Sequence, residues 1–429
     1  MHRLPVDDTE LGERISLNFK RLADDPYYQI EQVFQPEGCE WPGDKEGRAM
    51  LAFVSHYRIS SKRIPCMDEM IRRLPEHLND SGYLGPCGQP FIFEQQLSGH
   101  SWMLRGLCGY HEAFGDSESL KMAMAIAENL FLPLRGQIRD YPVDRTKQGG
   151  GDVSGNSLET ENGWKLSTDI GCAFMSIDGL AHVYKVSRDE RILELLYEMT
   201  GVFASIDKEK LRAQTHCSLT AGRGMMSLYH ETGDKYFLDS AKQIFDLYIS
   251  SGMTYTYQNL NWWGRPDTWT EPCAIVDSLM LALELHKATG NEAFRRTAAA
   301  IWHNGLSTSQ RENGGAGTDT LVAAGSPWNH LKIRMYEAFF CCTMRLAEGL
   351  MYVNGNKDLL YATLDGSVKR NSQGIYTDGD IVYAQVEGGA EKYADYFVKV
   401  DGMRLCPIVK YYRVPRDIAE NSIQRIRFN

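Results

Sequence analysis

The chain has 429 residues, of which 43% are hydrophobic, and a formal net charge of -10. This length and composition allow a substantial core, in one large domain with a small one or in two to three ordinary domains. The negative charge argues against nucleic acid or an anionic membrane as a partner, because both are bound through basic patches.

The N-terminal residues predict neither export nor membrane insertion. No stretch of the chain approaches the roughly 18 apolar residues of a membrane span, and residues 1–8 lack the apolar core of a signal peptide. The ten cysteines are scattered, so we expect reduced thiols. We therefore expect a cytoplasmic protein and leave open whether it forms a homo-oligomer. Residues 1–44 are interpreted as a lead-in with one helical stretch around Glu10–Leu22.

A recurring helical hairpin fills residues 45–358. In each copy an apolar helix ends at a tight turn and an amphipathic helix follows. The copies begin near Glu46, at Gly99, near Asp169, at His216, at Cys273 and near Glu337. Gly115, Gly233 or Gly290 can end the first helix in the left-handed conformation, and the Asp or Asn that follows can cap the next helix. Six hairpins predict an (α/α)6 toroid, with an open helical array for protein binding as the alternative.

Two insertions interrupt the hairpins, at residues 140–168 and 311–334, and long loops inside compact domains are often functional. From about Leu359 the pattern changes to short alternating segments. Residues 359–429 therefore predict a small antiparallel β domain, or a β-sandwich cut short. The predicted strands are Ile375–Thr377, Ile381–Val386, Tyr396–Val400 and Ile408–Val414.

Four side chains from two segments have the chemistry of a zinc site. Glu271 and Cys273 lie in T-E-P-C, and Cys341 and Cys342 are adjacent in F-F-C-C-T. Pro272 suits the first turn of a helix, which would place Glu271 and Cys273 at a helix start. One carboxylate and three thiolates can close a tetrahedral site if Cys341 and Cys342 also lie at a helix start or irregular turn. The alternative is buried cysteines, with Glu271 as an ordinary helix cap.

The loop before this segment is rich in aromatic side chains. Trp262 and Trp263 can stack on the face of a sugar, or pack the loop onto the core. Arg265 can bind a sugar hydroxyl or pair with Asp267. Together with Tyr257, these residues are our candidate sugar contacts.

Three segments carry a family resemblance. They are T-E-P-C-A-I-V-D-S, W-H-N-G-L-S-T-S-Q and E-A-F-F-C-C-T-M-R-L-A-E-G-L. They resemble glycoside hydrolase family 127, the β-L-arabinofuranosidase family also known as DUF1680, and the likeness spans about residues 45–355. The resemblance implies a Zn²⁺ cofactor bound by Glu271, Cys273, Cys341 and Cys342. It also implies that Cys341 is the nucleophile of a retaining mechanism, in which water resolves a glycosyl-enzyme intermediate.

The same resemblance implies sugar contacts and includes one departure. His100 and His216 each open an inner helix, and they match Gly-His positions that line the sugar pocket of the family. The acid/base glutamate of the family lies upstream of the E-x-C motif, whereas Gly252–Thr270 contains no glutamate. Glu337 is the first candidate to replace it and Asp267 is the second.

We therefore expect a retaining, zinc-dependent glycoside hydrolase that acts on an L-arabinofuranoside or a related plant-polysaccharide sugar. A second hypothesis is a toroid hydrolase or lyase for uronic or deoxy sugars that uses Tyr255, Tyr257 or His216 instead of the cysteine. A third is a catalytically inactive sugar-binding or scaffold protein, which the missing glutamate and the short β tail favour.

Overall fold

The computed structural model describes residues 8–34, 40–144, 150–328 and 332–360, and the backbone of four strands between residues 369 and 415. The α-helices of these residues are α1 (Asp8–Asp24), α2 (Ile30–Val33), α3 (Asp44–Ser60), α4 (Met67–Arg73), α5 (Glu94–Phe114), α6 (Ser117–Ile126), α7 (Ser176–Ser187), α8 (Glu190–Ser205), α9 (Lys208–Leu211), α10 (Thr215–Thr232), α11 (Lys235–Leu247), α12 (Pro272–Thr289), α13 (Glu292–Ala300), α14 (Ser307–Ser309), α15 (Cys342–Gly355) and α16 (Lys357–Leu360).

Short turns of 3-10 helix span Pro26–Tyr28, Leu74–Glu76, Leu132–Leu134, Ile138–Asp140 and Cys172–Met175, and π-helical turns span Ala127–Phe131, Tyr248–Gly252 and Ile301–Leu306. None of the helices within the described ranges is long and apolar enough to cross a membrane.

The strands form three small sheets. They are β1 (Ile92–Phe93), β2 (Ser157–Glu161), β3 (Trp164–Ser167), β4 (Gly317–Asp319), β5 (Arg334–Glu337), β6 (Lys369–Arg370), β7 (Ile375–Asp378), β8 (Ile381–Gln385) and β9 (Tyr411–Pro415). The first sheet has the order β1-β3-β2, with β1 parallel and β2 antiparallel to β3. β4 pairs antiparallel with β5, and β6-β7-β8-β9 form an antiparallel sheet.

Six mostly buried helices close into a ring. These inner helices are α3, α5, α7, α10, α12 and α15; each contacts the next, and α15 contacts α3. The helices α4, α6, α8, α11 and α13 each pack on the inner helix that precedes them. The contact between the first and last inner helices excludes the open array and confirms the (α/α)6 toroid. The outer position beside α15 is occupied by α1, whose Asn18 Nδ2 donates to the Thr343 carbonyl at 3.1 Å.

The turns between paired helices use the predicted capping chemistry. Gly233 ends α10 with a φ of 72°, a conformation that costs glycine no Cβ clash. The Asp234 carboxylate then accepts from the Tyr236 amide at the start of α11. Gly115 and Gly290 end their helices in the same way.

Glycines also let the inner helices approach one another. A Cβ on Gly179 of α7 would lie 2.7 Å from the Cα of Ser101 in α5. A Cβ on Gly224 of α10 would lie 2.5 Å from the amide nitrogen of Asp178 in α7. Both distances are shorter than any ordinary carbon contact, so the spacing of these helices requires glycine at both positions.

The C-terminal strands follow the predicted pattern where the structure describes them. β7 and β8 coincide with the first two predicted strands, and β9 overlaps the last. The predicted strand Tyr396–Val400 lies outside the described residues. The domain boundaries at residues 44 and 358 remain predictions.

Candidate active site

A cleft of about 490 Å³ opens at one end of the helical ring. Every inner helix contributes a residue to its lining, from the first turns of the helix or from the segment just before it: Asp44, Ser98, Asp169, His216, Glu271 and Cys341. The backbone N–H groups at helix starts give these positions a positive potential, which favours anionic side chains and ligands.

Three thiols converge in the cleft. Cys273 Sγ lies 3.4 Å from Cys342 Sγ, which lies 3.5 Å from Cys341 Sγ. Cys341 is the N-cap of α15 and Cys342 its first residue, so the adjacent side chains diverge less than they would inside a helix. Cys273 is the second residue of α12, after Pro272 in the first turn as predicted. The structure thus brings together residues that are about seventy positions apart in the sequence.

The donor set fits a metal ion such as zinc. The three sulfurs lie within 4.8 Å of one another, and a carboxylate oxygen of Glu271 lies within the same distance of Cys273 Sγ. Zinc–sulfur bonds of about 2.3 Å in tetrahedral geometry separate sulfurs by about 3.8 Å, close to the observed spacing. Cys273, Cys341, Cys342 and Glu271 would hold the ion.

Arg48 supplies the positive charge closest to the thiols. Its Nη1 lies 3.5 Å from Cys273 Sγ, and its Nε donates to both carboxylate oxygens of Asp44. Burial alone would raise the pKa of Cys273, but hydrogen bonds from Cys341 and Cys342 and the Arg48 charge hold that pKa well below its usual range. Hydrogen bonding to the Cys273 thiolate in turn raises the pKa of Cys341. The three thiols therefore influence one another, and the pKa of Cys273 moves in the opposite direction to those of Cys341 and Cys342.

Hydrogen bonds with three side chains orient Glu271, two at its carboxylate and one at its backbone amide. Its Oε1 lies 3.1 Å from His216 Nδ1, and its amide donates to Asn259 Oδ1 at 2.8 Å. With the Asn261 amide oriented to accept from Trp269 Nε1, its nitrogen donates to Glu271 Oε2 at 2.8 Å. The carboxylate is therefore fixed at the cleft, as a metal ligand requires.

His216 lines the cleft and connects Glu271 to a buried ionic network. Its Nε2 lies 3.2 Å from Asp277 Oδ2. Burial opposes its charge, but Glu271 and Asp277 raise the pKa of His216 to about 10. Asp277 also accepts from Arg223 Nη1 at 2.9 Å and pairs with Arg345. Both imidazole nitrogens thus face carboxylates, which makes His216 a support for Glu271.

His100 does not line the cleft, so the prediction that it binds sugar gains no support from its position. It is fully buried in α5, where its Nε2 accepts from the Leu84 amide at 3.0 Å and its Nδ1 lies 2.8 Å from the Gln96 carbonyl. Burial lowers the pKa of His100 to about 4, so it stays neutral. We expected it to open an inner helix, but it is the seventh residue of α5, and both ring nitrogens are occupied by backbone groups.

The predicted aromatic sugar contacts belong to the core instead. Trp262 and Trp263 are fully buried, and Trp263 Nε1 donates to Ser218 Oγ at 3.1 Å. Tyr257 is 1% exposed. None of the three lines the cleft, because the loop folds inward and the Trp263 ring packs edge-on against Tyr248. The half-exposed aromatic side chains that do line the cleft are Tyr27, Trp41 and Phe340.

Arg265 and Asp267 pair with each other, as one of the two sequence interpretations proposed. Arg265 Nε and Nη2 donate to the two Asp267 oxygens at 2.8 and 2.9 Å, and Nη1 donates to the Gly151 carbonyl. This hydrogen bonding lowers the pKa of Asp267. Neither residue lines the cleft, so neither sugar binding nor the acid/base role of Asp267 is supported.

Glu337 lies in strand β5 rather than at a helix start. Its Oε1 accepts from Arg21 Nη2 at 2.9 Å and from Thr343 Oγ1 at 3.1 Å, and its Oε2 accepts from Asn313 Nδ2 at 2.6 Å. It does not line the cleft, because these partners hold it against α1. The choice of Glu337 as the acid/base therefore stays a prediction that its position does not support.

Sequence reasoning missed several residues of the cleft. Trp41 and Arg48 lie next to or inside the first inner hairpin, and Gln214 immediately precedes α10. Asp169 was recognised only as the approximate start of a hairpin. Position just before an inner helix is the shared signal that could have found these residues.

Comparisons with known proteins agree with this architecture. A sequence model described as "Beta-L-arabinofuranosidase, GH127 catalytic domain" matches residues 49–318. No curated protein matches the chain at a significant level. A solved GH127 β-arabinofuranosidase aligns with a TM-score of 0.54 at 13% identity, covering 88% of this chain and 62% of that one. A GH127 β-L-arabinofuranosidase from Geobacillus stearothermophilus T6 aligns with a TM-score of 0.50 at 15% identity, and the alignment covers 89% of this chain and 65% of that one.

The fold is shared more widely. A cellobiose 2-epimerase from Bacillus thermoamylovorans B4167 aligns with a TM-score of 0.52 at 14% identity, covering 81% of this chain and all of that one. This chain spans less than two thirds of the length of the two arabinofuranosidases. Because the GH127 match covers more than half of the 429 residues, the chain belongs to the GH127 β-L-arabinofuranosidase catalytic-domain family.

Proposed function

We propose that this protein is a retaining glycoside hydrolase with a zinc-bound cysteine nucleophile. The observation that carries the proposal is the convergence of Cys273, Cys341 and Cys342 at the starts of two helices in one cleft. Family membership supports the reaction class.

Each residue of the site has a distinct role in the proposed reaction. When bound, zinc would keep the thiols deprotonated at neutral pH. Cys341, the cysteine that lines the cleft, attacks the anomeric carbon of the sugar. Glu271, Cys273 and Cys342 would be the other ligands of the ion. His216 orients Glu271, and Arg48 orients Cys273.

The proposed substrate is an L-arabinofuranoside or a related sugar of plant polysaccharides. A cleft of about 490 Å³ suits a small saccharide. Tyr27, Trp41 and Phe340 offer ring faces for sugar stacking, a role first assigned to Trp262 and Trp263. The hypothesis of a lyase that uses Tyr255 or Tyr257 loses support, because neither residue lines the cleft.

Metal analysis tests the zinc site without relying on activity. The purified full chain is expected to hold one zinc per chain, and removal of zinc by a chelator should lower its Tm because a ligand that binds only the folded state stabilises it. Cys273→Ser and Cys342→Ser should lose the metal. Cys87→Ser, a change at an exposed cysteine outside the cleft, should keep it. Stoichiometric zinc in Cys273→Ser would refute the proposed ligand set.

Covalent trapping tests the nucleophile. A cysteine-directed cyclitol mimic of L-arabinofuranose should label Cys341, as read by peptide mass spectrometry. Labelling of another residue would exclude the proposed role of Cys341. If zinc binds but no aryl glycoside or arabinan-type oligosaccharide is hydrolysed, the catalytically inactive sugar-binding protein becomes the better description.

A further inference from the structure

The proposed reaction needs a proton donor for the leaving group, and four carboxylates line the cleft in the described chain. They are Glu40, Asp44, Asp169 and Glu271. Glu271 faces His216 and is assigned to the metal. Both oxygens of Asp44 accept from Arg48 Nε, so neither lacks a partner. Glu40 is exposed to solvent.

Asp169 differs from the other three carboxylates. It lies between β3 and the turn that leads into α7, and it is only 4% exposed. Its Oδ2 accepts from Ser154 Oγ at 3.1 Å and from the Gly155 amide at 3.2 Å. Its Oδ1 is buried and has no hydrogen-bond partner among the described residues. One oxygen is therefore anchored, while the other is a buried acceptor without a hydrogen-bond partner on a residue that lines the cleft.

Ser154 and Gly155, which donate to Asp169 Oδ2, are themselves held in place by the first inner hairpins. The Gly155 carbonyl accepts from Trp41 Nε1 and from Gln95 Nε2, both at 3.1 Å. Gly155 and Ser154 belong to the predicted insertion at residues 140–168, which supplies one wall of the cleft. This insertion therefore orients a carboxyl group, which gives it a functional role.

The charges that face Asp169 come from neighbouring elements. Burial, and secondarily the Glu271 carboxylate, raise the pKa of Asp169 to about 7, while His216 opposes the shift. Cys217 and Tyr336 are the other titratable groups that interact with it. Burial is the larger cause and is a property of the fold. A carboxyl group in such surroundings can exchange a proton at neutral pH.

We propose that Asp169 is the general acid/base of this protein, in place of the glutamate that residues 252–270 lack. This assignment rests on the proposed function. In the first step the Cys341 thiolate forms a bond to the anomeric carbon, the bond from that carbon to the leaving oxygen breaks, and Asp169 Oδ1 gives its proton to that oxygen. In the second step Asp169 takes a proton from water as the water oxygen attacks the anomeric carbon. The carbon–sulfur bond then breaks and its electron pair returns to Cys341.

Leaving-group dependence and azide rescue of Asp169→Asn test this role. The zinc-loaded full chain is assayed with phenyl, 4-nitrophenyl and 2,4-dinitrophenyl β-L-arabinofuranosides. We expect the variant to lose about 10²- to 10⁴-fold in kcat/KM on the phenyl glycoside, and much less on the dinitrophenyl glycoside, which needs no protonation. Azide should accelerate turnover of the dinitrophenyl glycoside and yield a glycosyl azide of retained configuration. Asp239→Asn, an exposed change on α11, is the matched control and should behave as the wild type.

The outcomes separate this inference from the function on which it rests. Zinc content equal to the wild type shows that Asp169→Asn is folded and loaded. A loss that is uniform across the leaving groups, with no azide product, overturns the assignment. The assignment is also overturned if Glu337→Gln, rather than Asp169→Asn, shows the leaving-group dependence and forms the glycosyl azide. If the wild type hydrolyses none of the glycosides, the proposed hydrolase fails first and the role of Asp169 fails with it.

Discussion

Trp263 is a fully buried core residue that does not line the cleft. A substitution at this position therefore distinguishes a role in packing from a role in ligand binding. We expect Trp263→Phe to lower the free energy of unfolding by about 1–3 kcal/mol, because it removes a buried hydrogen bond to Ser218 and part of a packed ring. KM should be unchanged within twofold. Chemical denaturation and steady-state kinetics measure the two effects.

The control for Trp263 is Trp328, which is 37% exposed. Trp328→Phe should change the free energy of unfolding by less than about 0.5 kcal/mol. A large rise in KM for Trp263→Phe with normal stability would restore the sugar-stacking interpretation.

Arg48 controls the charge of the proposed metal site. Three thiolates and a carboxylate around one divalent ion leave net negative charge, and the Arg48 guanidinium at 3.5 Å from Cys273 Sγ offsets part of it. We expect Arg48→Met to weaken zinc binding by about 10- to 100-fold, a typical effect of an outer-shell partner. Competition with a chromophoric chelator measures the affinity. Arg48→Lys retains the charge and should show a smaller loss; equal losses in both variants would assign the effect to the shape of Arg48.

At the scale of elements, the ring depends on close approaches between inner helices. Gly179→Ala and Gly224→Ala would each place a Cβ against the backbone of a neighbouring helix, so we expect a loss of about 1–3 kcal/mol in each. Urea denaturation gives the values. Gly355→Ala, at the end of α15, has no atom within 4 Å of the added Cβ and should be neutral or slightly stabilising. Similar effects at all three positions would indicate that helix propensity, not helix spacing, decides the cost.

At the scale of the whole molecule, buried titratable groups make opposing contributions to stability between pH 4.5 and 6.5. Burial lowers the pKa of His100 from 6.5 to about 4, so its contribution is lost as pH falls through this range. Burial raises the pKa of Glu46 from 4.5 to about 7, so its contribution is lost as pH rises through the same range. In the wild type, the contributions of His100 and Glu46 to the slope of the free energy of unfolding against pH therefore nearly cancel.

Substitutions should separate these slopes. The contribution of His100 to stability grows as pH rises through this range, and His100→Gln removes it. The free energy of unfolding of the variant should therefore fall relative to that of the wild type by about 1.4 kcal/mol for each unit of increase in pH. Glu46→Gln should change the slope by a similar amount in the opposite direction. Urea denaturation across the range measures both, with the exposed His230→Gln as the control. Slopes of equal sign in the two variants would contradict the assigned protonation states.

The extent to which the sequence predicts the site can be argued from particular residues. Cys273, Cys341 and Cys342 were predicted correctly as neighbours, because helix-start positions and thiol chemistry are both local features. His100 shared the helix-start signal but faces the backbone of the Leu84 segment, a contact that no local pattern encodes. Glu337 was chosen for its distance from Cys341 along the chain, yet Arg21 from the N-terminal helix holds it outside the cleft.

By itself the sequence determined the helical hairpins, their caps and the identities of the thiols, because periodicity, capping and metal-ligand chemistry depend on residues close in the chain. Only the tertiary structure decided which of those residues face the cleft. Ring closure fixes the segments that precede the inner helices, and their packing buries Trp262 and Trp263 in the core while Asp169 lines the cleft with one unpartnered oxygen. The site is therefore assembled by packing between helices that are distant in the sequence.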